Sequence, residues 1–169
     1  MTATPPRRAD RSYKVGRVER IGNLVAKLLV QAGVGPKRMH LLTVQGRKTG
    51  KAYTTPLTIV EIDGQRWLVA PYGGVAWAKN VAVSGSAKLR RGRVTEQVKV
   101  EPVGAHESAP VLMAYVRLEP MTRSAFKLGP DASVEEFQAI APNHLVFRIL
   151  PVRPAGSVAS DLHKRKPRP

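Results

Sequence analysis

Gly46-Arg47-Lys48-Thr49-Gly50 sets two cations and a hydroxyl between two glycines, at the junction of two apolar runs. Leu41-Leu42-Thr43-Val44 leads in, and Ala52-Tyr53-Thr54-Thr55-Pro56-Leu57 leads out. Two strands joined here expose Arg47, Lys48, the Thr49 hydroxyl and nearby backbone N–H groups on one concave edge. Fixed donors, positive charge and an unobstructed backbone are what a phosphate group requires. The Walker pattern GxxxxGK[ST] is absent and no helical pattern follows, so this is not a P-loop. On spacing alone, the same residues also read as a solvated basic turn.

Other constellations offer less. His40, His106, His144 and His163 are scattered singly, without the spacing of a metal pair, and no metal site is expected. Ser84-Gly85-Ser86 is not a nucleophile elbow, and the chain has no cysteine, which removes disulfides, iron–sulfur clusters and thiolate metal sites. Glu135-Glu136 reads as a solvated helix face. The run Lys88, Arg90, Arg91, Arg93 reads as a charged strand edge that discourages sheet-to-sheet association.

The elements that must position the turn follow from periodicity. Apolar residues at 18, 21, 25, 28, 29 and 32 mark one face of a helix over 16–32, ended by Gly33 and Gly35-Pro36. Strands are expected at 38–44, 54–62 and 66–71, the last two joined by an Asp63-Gly64 turn with both residues at positive φ. A short helix at 77–83 stops at Gly85. A second hairpin pairs 87–91 with 93–103 around Gly92, with Val94, Val98 and Val100 on one face. Helices at 107–118 and 132–140 and a strand at 144–150 complete the order α–βββ–α–ββ–αα–β. That order predicts an α+β protein, mainly β, built as an antiparallel barrel with helices against it.

The charge is +16, from 28 basic and 12 acidic residues among 169. The two ends are Pro-punctuated and basic, and read as a disordered arm (1–15) and a disordered tail (152–169) around one domain (16–151). The excess left on the body implies an anionic partner. No apolar run is long enough to span a bilayer, and no signal peptide is expected. No aromatic residue lies between 78 and 114 to interleave with the cations, so nucleic acid is an unlikely partner.

Leu41-Leu42-Thr43-x-x-Gly46-Arg47-Lys48-Thr49-Gly50, followed by Pro56-Leu57, resembles the signature of the deazaflavin-dependent nitroreductase family. These are split β-barrels related to the FMN-binding flavin reductases and pyridoxamine phosphate oxidases. Val69-Ala70-Pro71-Tyr72-Gly73-Gly74 is similar to the family's second barrel strand with its Gly-Gly turn, and Ala76-Trp77-Ala78-Lys79-Asn80 to its Trp-x-x-Asn helix start. The resemblance spans roughly 17–151, with specific motifs confined to 41–80.

It implies a split β-barrel of about six strands that binds the deazaflavin coenzyme F-420, with FMN as the alternative. The implied activity is hydride transfer from the reduced cofactor to an electron-poor acceptor: a quinone, a nitro compound or an activated enone. A non-enzymatic anion binder, using the basic ends on nucleic acid or an anionic membrane, is the rival. By the match, Arg47, Lys48, Thr49 and Gly50 contact the phosphate. At Tyr53 many relatives carry an arginine that reaches the cofactor's acidic oligoglutamate tail, and Lys51 stands as a substitute. Ala70, Pro71 and Tyr72 present backbone groups to the ring edge, with Gly73 and Gly74 allowing close approach. Relatives often have Ser-Lys in place of Pro71-Tyr72, so the orienting role of those side chains does not transfer. Trp77 is either a cofactor wall or a core anchor, and Asn80 either a ligand or a helix hydrogen-bonding residue. The helix at 16–32 and the segment with Tyr115, Phe126 and Phe137 are expected to line the substrate side. Relatives that reduce bicyclic nitroimidazoles place tyrosines near that segment; no tyrosine follows Tyr115 here, which favours apolar quinones or enones. Absence of cysteine is compatible with a cytoplasmic protein, and the basic ends allow peripheral contact with the inner membrane face; the resemblance leaves monomer and homodimer both open.

Overall fold

The computed structural model describes residues 30–152. Six antiparallel strands close on themselves: β1 (Met39–Gln45), β2 (Ala52–Ile62), β3 (Gln65–Ala70), β4 (Ser86–Arg91), β5 (Val94–Pro102) and β6 (Leu145–Pro151). Around the barrel the order is β1-β2-β3-β6-β5-β4, with β4 returning to β1. Among the described residues, α-helices run over α1 (Ala76–Ser84), α2 (Ala105–Leu118) and α3 (Val134–Ile140). The expected helix over 16–32 falls almost wholly outside the described residues, as do both basic ends.

Alternation along each strand creates two cores. Leu42 and Val44 of β1, Leu68 and Ala70 of β3, Leu89 of β4, Val98 and Val100 of β5 and Phe147 and Ile149 of β6 point into the barrel. Ala78 and Val81 of α1 join them, so α1 plugs one mouth. The outward residues Val60, Trp67, Val69 and Val146 are covered by α2 and α3 through Leu112, Tyr115, Val116 and Phe137.

Turn chemistry fixes the register. Asp63 and Gly64 take φ 51° and 75°, the paired positive values of a two-residue hairpin turn. Gly85 ends α1 in the left-handed conformation at φ 62°, where its N–H reaches the Val81 carbonyl. Ser133 and Glu136 form a reciprocal capping box that starts α3, which gives Glu136 a structural role.

Two expectations change. β4 pairs with both β1 and β5, so Lys88 to Arg91 do not sit on a sheet edge. Arg91 turns over the barrel's other mouth and donates to the carbonyls of Gly33, Gly35, Pro36 and Met39, fastening the incoming chain. Val94 is 72 % exposed at the hairpin tip, where no barrel interior remains to receive it.

Candidate active site

The β1–β2 connection is a tight loop. Gly46 N–H bonds the Lys51 carbonyl at 2.8 Å, and the Gly46 carbonyl accepts from Thr49 N–H at 3.2 Å and Gly50 N–H at 2.8 Å. Gly50 closes it at φ 66°, a conformation that favours glycine, and open space surrounds the position a Cβ would take. Arg47, Lys48, Thr49, Gly50 and Lys51 are all exposed. The Thr49 hydroxyl accepts from Lys51 N–H at 3.4 Å and lies 3.5 Å from the Tyr53 hydroxyl.

Tyr53 lies flat against the turn. A Cβ on Gly46 would come within 2.6 Å of its ring, so glycine at 46 is required by Tyr53. Half-exposed Tyr53 therefore supports the loop from beneath.

Asn80 is 6 % exposed and sits inside α1. Its side-chain oxygen accepts from the Arg47 guanidinium at 2.8 Å and from the Arg47 backbone N–H at 3.3 Å. Asn80 thus ties the basic turn to the helix that plugs the barrel. Trp77, one turn earlier, is half-buried and packs on Phe147 with ring centroids 6.0 Å apart.

The β3–α1 connection borders the same mouth. Ala70 is fully buried, whereas Tyr72 is 46 % exposed. The segment is braced from behind by a short turn, Ala141–Asn143, and the His144 after it. His144 Nδ1 lies 2.8 Å from the Pro71 carbonyl. A carbonyl only accepts, so Nδ1 carries the proton. His144 also stacks on Phe126 at 4.5 Å, and burial lowers its pKa. Gly73 has φ 69°, and a Cβ there would meet the Asn143 carbonyl oxygen at 2.8 Å. A side chain on Gly74 would collide with the Lys79 stem.

The expected substrate-side residues are elsewhere. Tyr115, Phe126 and Phe137 are 6 %, 2 % and 0 % exposed, in the core beneath α2. Tyr115 packs on Phe126 at 5.8 Å. Burial, above all, pushes the Tyr115 pKa up to about 12. These three side chains pack in the second core, where Phe126 also stacks on His144. Arg123 donates to the Val116 and Arg117 carbonyls and so caps α2. Nothing in the sequence pattern announced His144 as the brace; its Pro71 contact spans 73 residues of chain.

A six-stranded antiparallel barrel is plugged at one mouth by a Trp-bearing helix, with a cationic hairpin turn beside it. The family model for the F420H(2)-dependent quinone reductase matches residues 17–125, and the chain belongs to that family. Among solved structures, a domain-swapped dimer is 19% identical, with a TM-score of 0.51 over 79% of this chain and 99% of its own. A protein of unknown function from Agrobacterium tumefaciens is 16% identical, with a TM-score of 0.52, over 88% of this chain and 59% of its own. An F420-H2 dependent reductase is 21% identical over 67% of this chain and 94% of its own, with a TM-score of 0.48. The protein is accordingly an oxidoreductase, and its cofactor is the deazaflavin coenzyme F420.

The residues present suit such a cofactor. Neither 46–53 nor 70–80 contains an acidic side chain, and the turn offers cations, a hydroxyl and an open backbone approach at Gly50.

Proposed function

We propose that this protein transfers hydride from reduced F420 to an apolar, electron-poor acceptor, a quinone or activated enone in preference to a nitroimidazole. The observation that carries the reading is convergence at one barrel mouth. The basic turn, the Asn80-bearing helix and the His144-braced 71–74 segment meet there through named contacts. When bound, the cofactor supplies the hydride. Lys48, Thr49 and the Gly50 backbone take its phosphate, with Arg47 held in place by Asn80 and Lys51 adding charge. Ala70, Pro71 and Tyr72 present backbone to the ring edge, and Gly73 permits close approach. Trp77 lines one side of the mouth.

The acceptor preference rests on Tyr115. Its side chain is 6 % exposed in the core beneath α2, so this segment presents no phenolic donor to a nitro oxygen. Packing against apolar surface is what remains there, and it suits a quinone or enone.

Fluorescence titration of the purified protein with F420 and, separately, with FMN tests the reading. Saturable F420 binding that Arg47→Ala and Lys48→Ala weaken is expected. Tight FMN binding without F420 binding would transfer the protein to the flavin-reductase relatives.

The basic ends favour a second role, peripheral attachment to an anionic membrane surface, at roughly 1 kcal/mol per basic residue near it. Among the described residues no helix is long and apolar enough to cross a membrane. Vesicle flotation should weaken when residues 1–15 are removed. If anion binding is the whole function, it should survive Arg47→Ala with Lys48→Ala and disappear with both ends.

A further inference from the structure

Adjacent residues of α1 reach two different parts of the barrel mouth. Asn80 turns to the basic turn and holds Arg47. Lys79, about 100° around the helix from it, turns to the 71–74 segment and lays its stem across Gly74. A Cβ at residue 74 would stand 2.7 Å from Lys79 Cε and 3.4 Å from its Nζ, and the three nearest atoms it would meet all belong to Lys79.

Gly73 and Gly74 are glycines for different reasons. Gly73 has a positive φ and faces the Asn143 carbonyl, so the backbone itself demands it. Gly74 does not have a positive φ, and what a side chain there would meet first is the lysine stem. Glycine at 74 therefore keeps a seat for the Lys79 ammonium on the backbone just beyond Tyr72.

No carboxylate answers that charge. Among the described residues Lys79 makes no ion pair, and the first turn of α1 holds no acidic side chain. Lys79 is exposed, so a ligand can reach its ammonium. Position narrows the ligand. The groups suited to a phosphate, Lys48, Thr49 and the Gly50 backbone, belong to the turn that Asn80 holds. Lys79 faces the other segment, where Ala70, Pro71 and Tyr72 present backbone. A hydroxylated deazaflavin ring is a weak acid, and a cation beside it favours the ionised form and tunes the ring's electronics.

We propose that Lys79, seated by Gly74, is the counter-charge of the deazaflavin ring and sets the protonation state in which the ring is bound. The inference rests on the cofactor placement proposed above. Lys79 meets the ring edge, Gly74 acts as a positioning residue for it, and the two neighbouring α1 side chains divide the cofactor between them. Asn80 serves the phosphate through Arg47, and Lys79 serves the ring directly.

Visible absorbance of oxidised F420 bound to the full chain, followed against pH, reports the ring's ionisation directly. In the wild-type complex the ring should ionise at lower pH than free F420. Lys79→Met, which keeps a stem and removes the charge, should raise that pH by about one unit, a tenfold change in proton affinity. Lys79→Arg should restore most of the wild-type value. Gly74→Ala should act like Lys79→Met, because the flexible end of the lysine gives way to the new methyl group. It should add nothing in a Lys79→Met background. Arg47→Ala with Lys48→Ala should weaken F420 in fluorescence titrations and leave the bound ring's ionisation in place, which keeps the two subsites apart. A Lys79→Met complex with unmoved ring ionisation, or a Gly74→Ala complex with the wild-type value, overturns the assignment. If the wild-type protein binds no F420, the cofactor placement itself is wrong and the Lys79 assignment goes with it.

Discussion

One side-chain oxygen of Asn80 accepts two N–H groups of Arg47, from the guanidinium at 2.8 Å and from the backbone at 3.3 Å. The basic turn is therefore held by the helix that plugs the barrel, 33 residues further along the chain. With the cofactor placed at this turn as proposed, its affinity and the packing of the barrel mouth are linked through this one side chain.

Asn80→Ala should separate the two. Loss of the acceptor from a buried position should lower stability by about 1–2 kcal/mol. Arg47 would then sample conformations away from the phosphate, and F420 affinity should fall roughly tenfold, about 1.4 kcal/mol. Thermal melts with fluorescence titration read both quantities. A folded Asn80→Ala with wild-type affinity would show that the coupling is unimportant.

Gly46 and Tyr53 form a second testable pair. Gly46 does not have a positive φ, so what opposes a side chain is mainly the Tyr53 ring, 2.6 Å from the would-be Cβ, with the Thr49 hydroxyl at 3.0 Å. Gly46→Ala should destabilise by about 1–3 kcal/mol in the wild-type background, the usual penalty for overpacking. In a Tyr53→Ala background the same change should be nearly neutral. A double-mutant cycle by urea denaturation measures the coupling, and additive effects would contradict this geometry.

His144 gives the protein an acid limb. Burial lowers its pKa below the ordinary 6.5, opposed by its bond to the Pro71 carbonyl. The unfolded chain therefore takes up a proton that the folded chain resists. Stability from this group is present above pH 6.5 and is lost as pH falls through the folded value. His144→Phe keeps a ring on Phe126 but loses the Pro71 bond. It should lower stability at neutral pH by about 1 kcal/mol and flatten the decline toward pH 5. His40, lowered by burial in the same direction, should keep part of that slope. An unaltered slope in urea midpoints against pH would remove His144 as its source.

Much of this was readable in the chain. Asp63-Gly64 announced its turn type, β-branched alternation announced the strands, and the Gly-Arg-Lys-Thr-Gly block announced the basic turn. What failed was tertiary. Closure of β4 onto β1 is a pairing between distant segments, so Arg91 looked like an edge cation although it clamps four carbonyls. Tyr115, Phe126 and Phe137 were recognisable as aromatic, but nothing local distinguishes a pocket wall from the core beneath it. Asn80 and His144 act through contacts that span 33 and 73 residues, beyond any periodicity.

Tyr115 gives the alkaline counterpart. Burial raises its pKa from 10 to about 12. The unfolded chain ionises first, so this contribution is intact below pH 10 and is lost as pH rises toward 12. A shift of that size corresponds to roughly 2–3 kcal/mol. Tyr115→Phe should lose less stability than the wild type on going to alkaline pH, because no hydroxyl remains to ionise in the unfolded chain. Ultraviolet titration of tyrosinate, run beside denaturation, checks the assignment; ionisation of Tyr115 near pH 10 in the folded protein would refute it.

The same buried hydroxyl bears on acceptor choice. A nitro or quinone oxygen gains from a donor that a site presents, and a site lacking the donor discriminates mainly by shape and apolar contact. Tyr115 lies buried in the core beneath α2, Phe126 and Phe137 offer no hydroxyl, and Arg123 is committed to the α2 carbonyls. Reduced F420 should therefore turn over a menadione-type quinone faster than a bicyclic nitroimidazole. Tyr115→Phe should leave that ratio within about twofold, since a buried hydroxyl absent from the acceptor contributes little to discrimination. Steady-state rates with both acceptors, in wild type and variant, decide the matter. Faster nitroimidazole reduction, or a ratio that moves tenfold in Tyr115→Phe, would mean that the α2 side opens to present its hydroxyl during turnover.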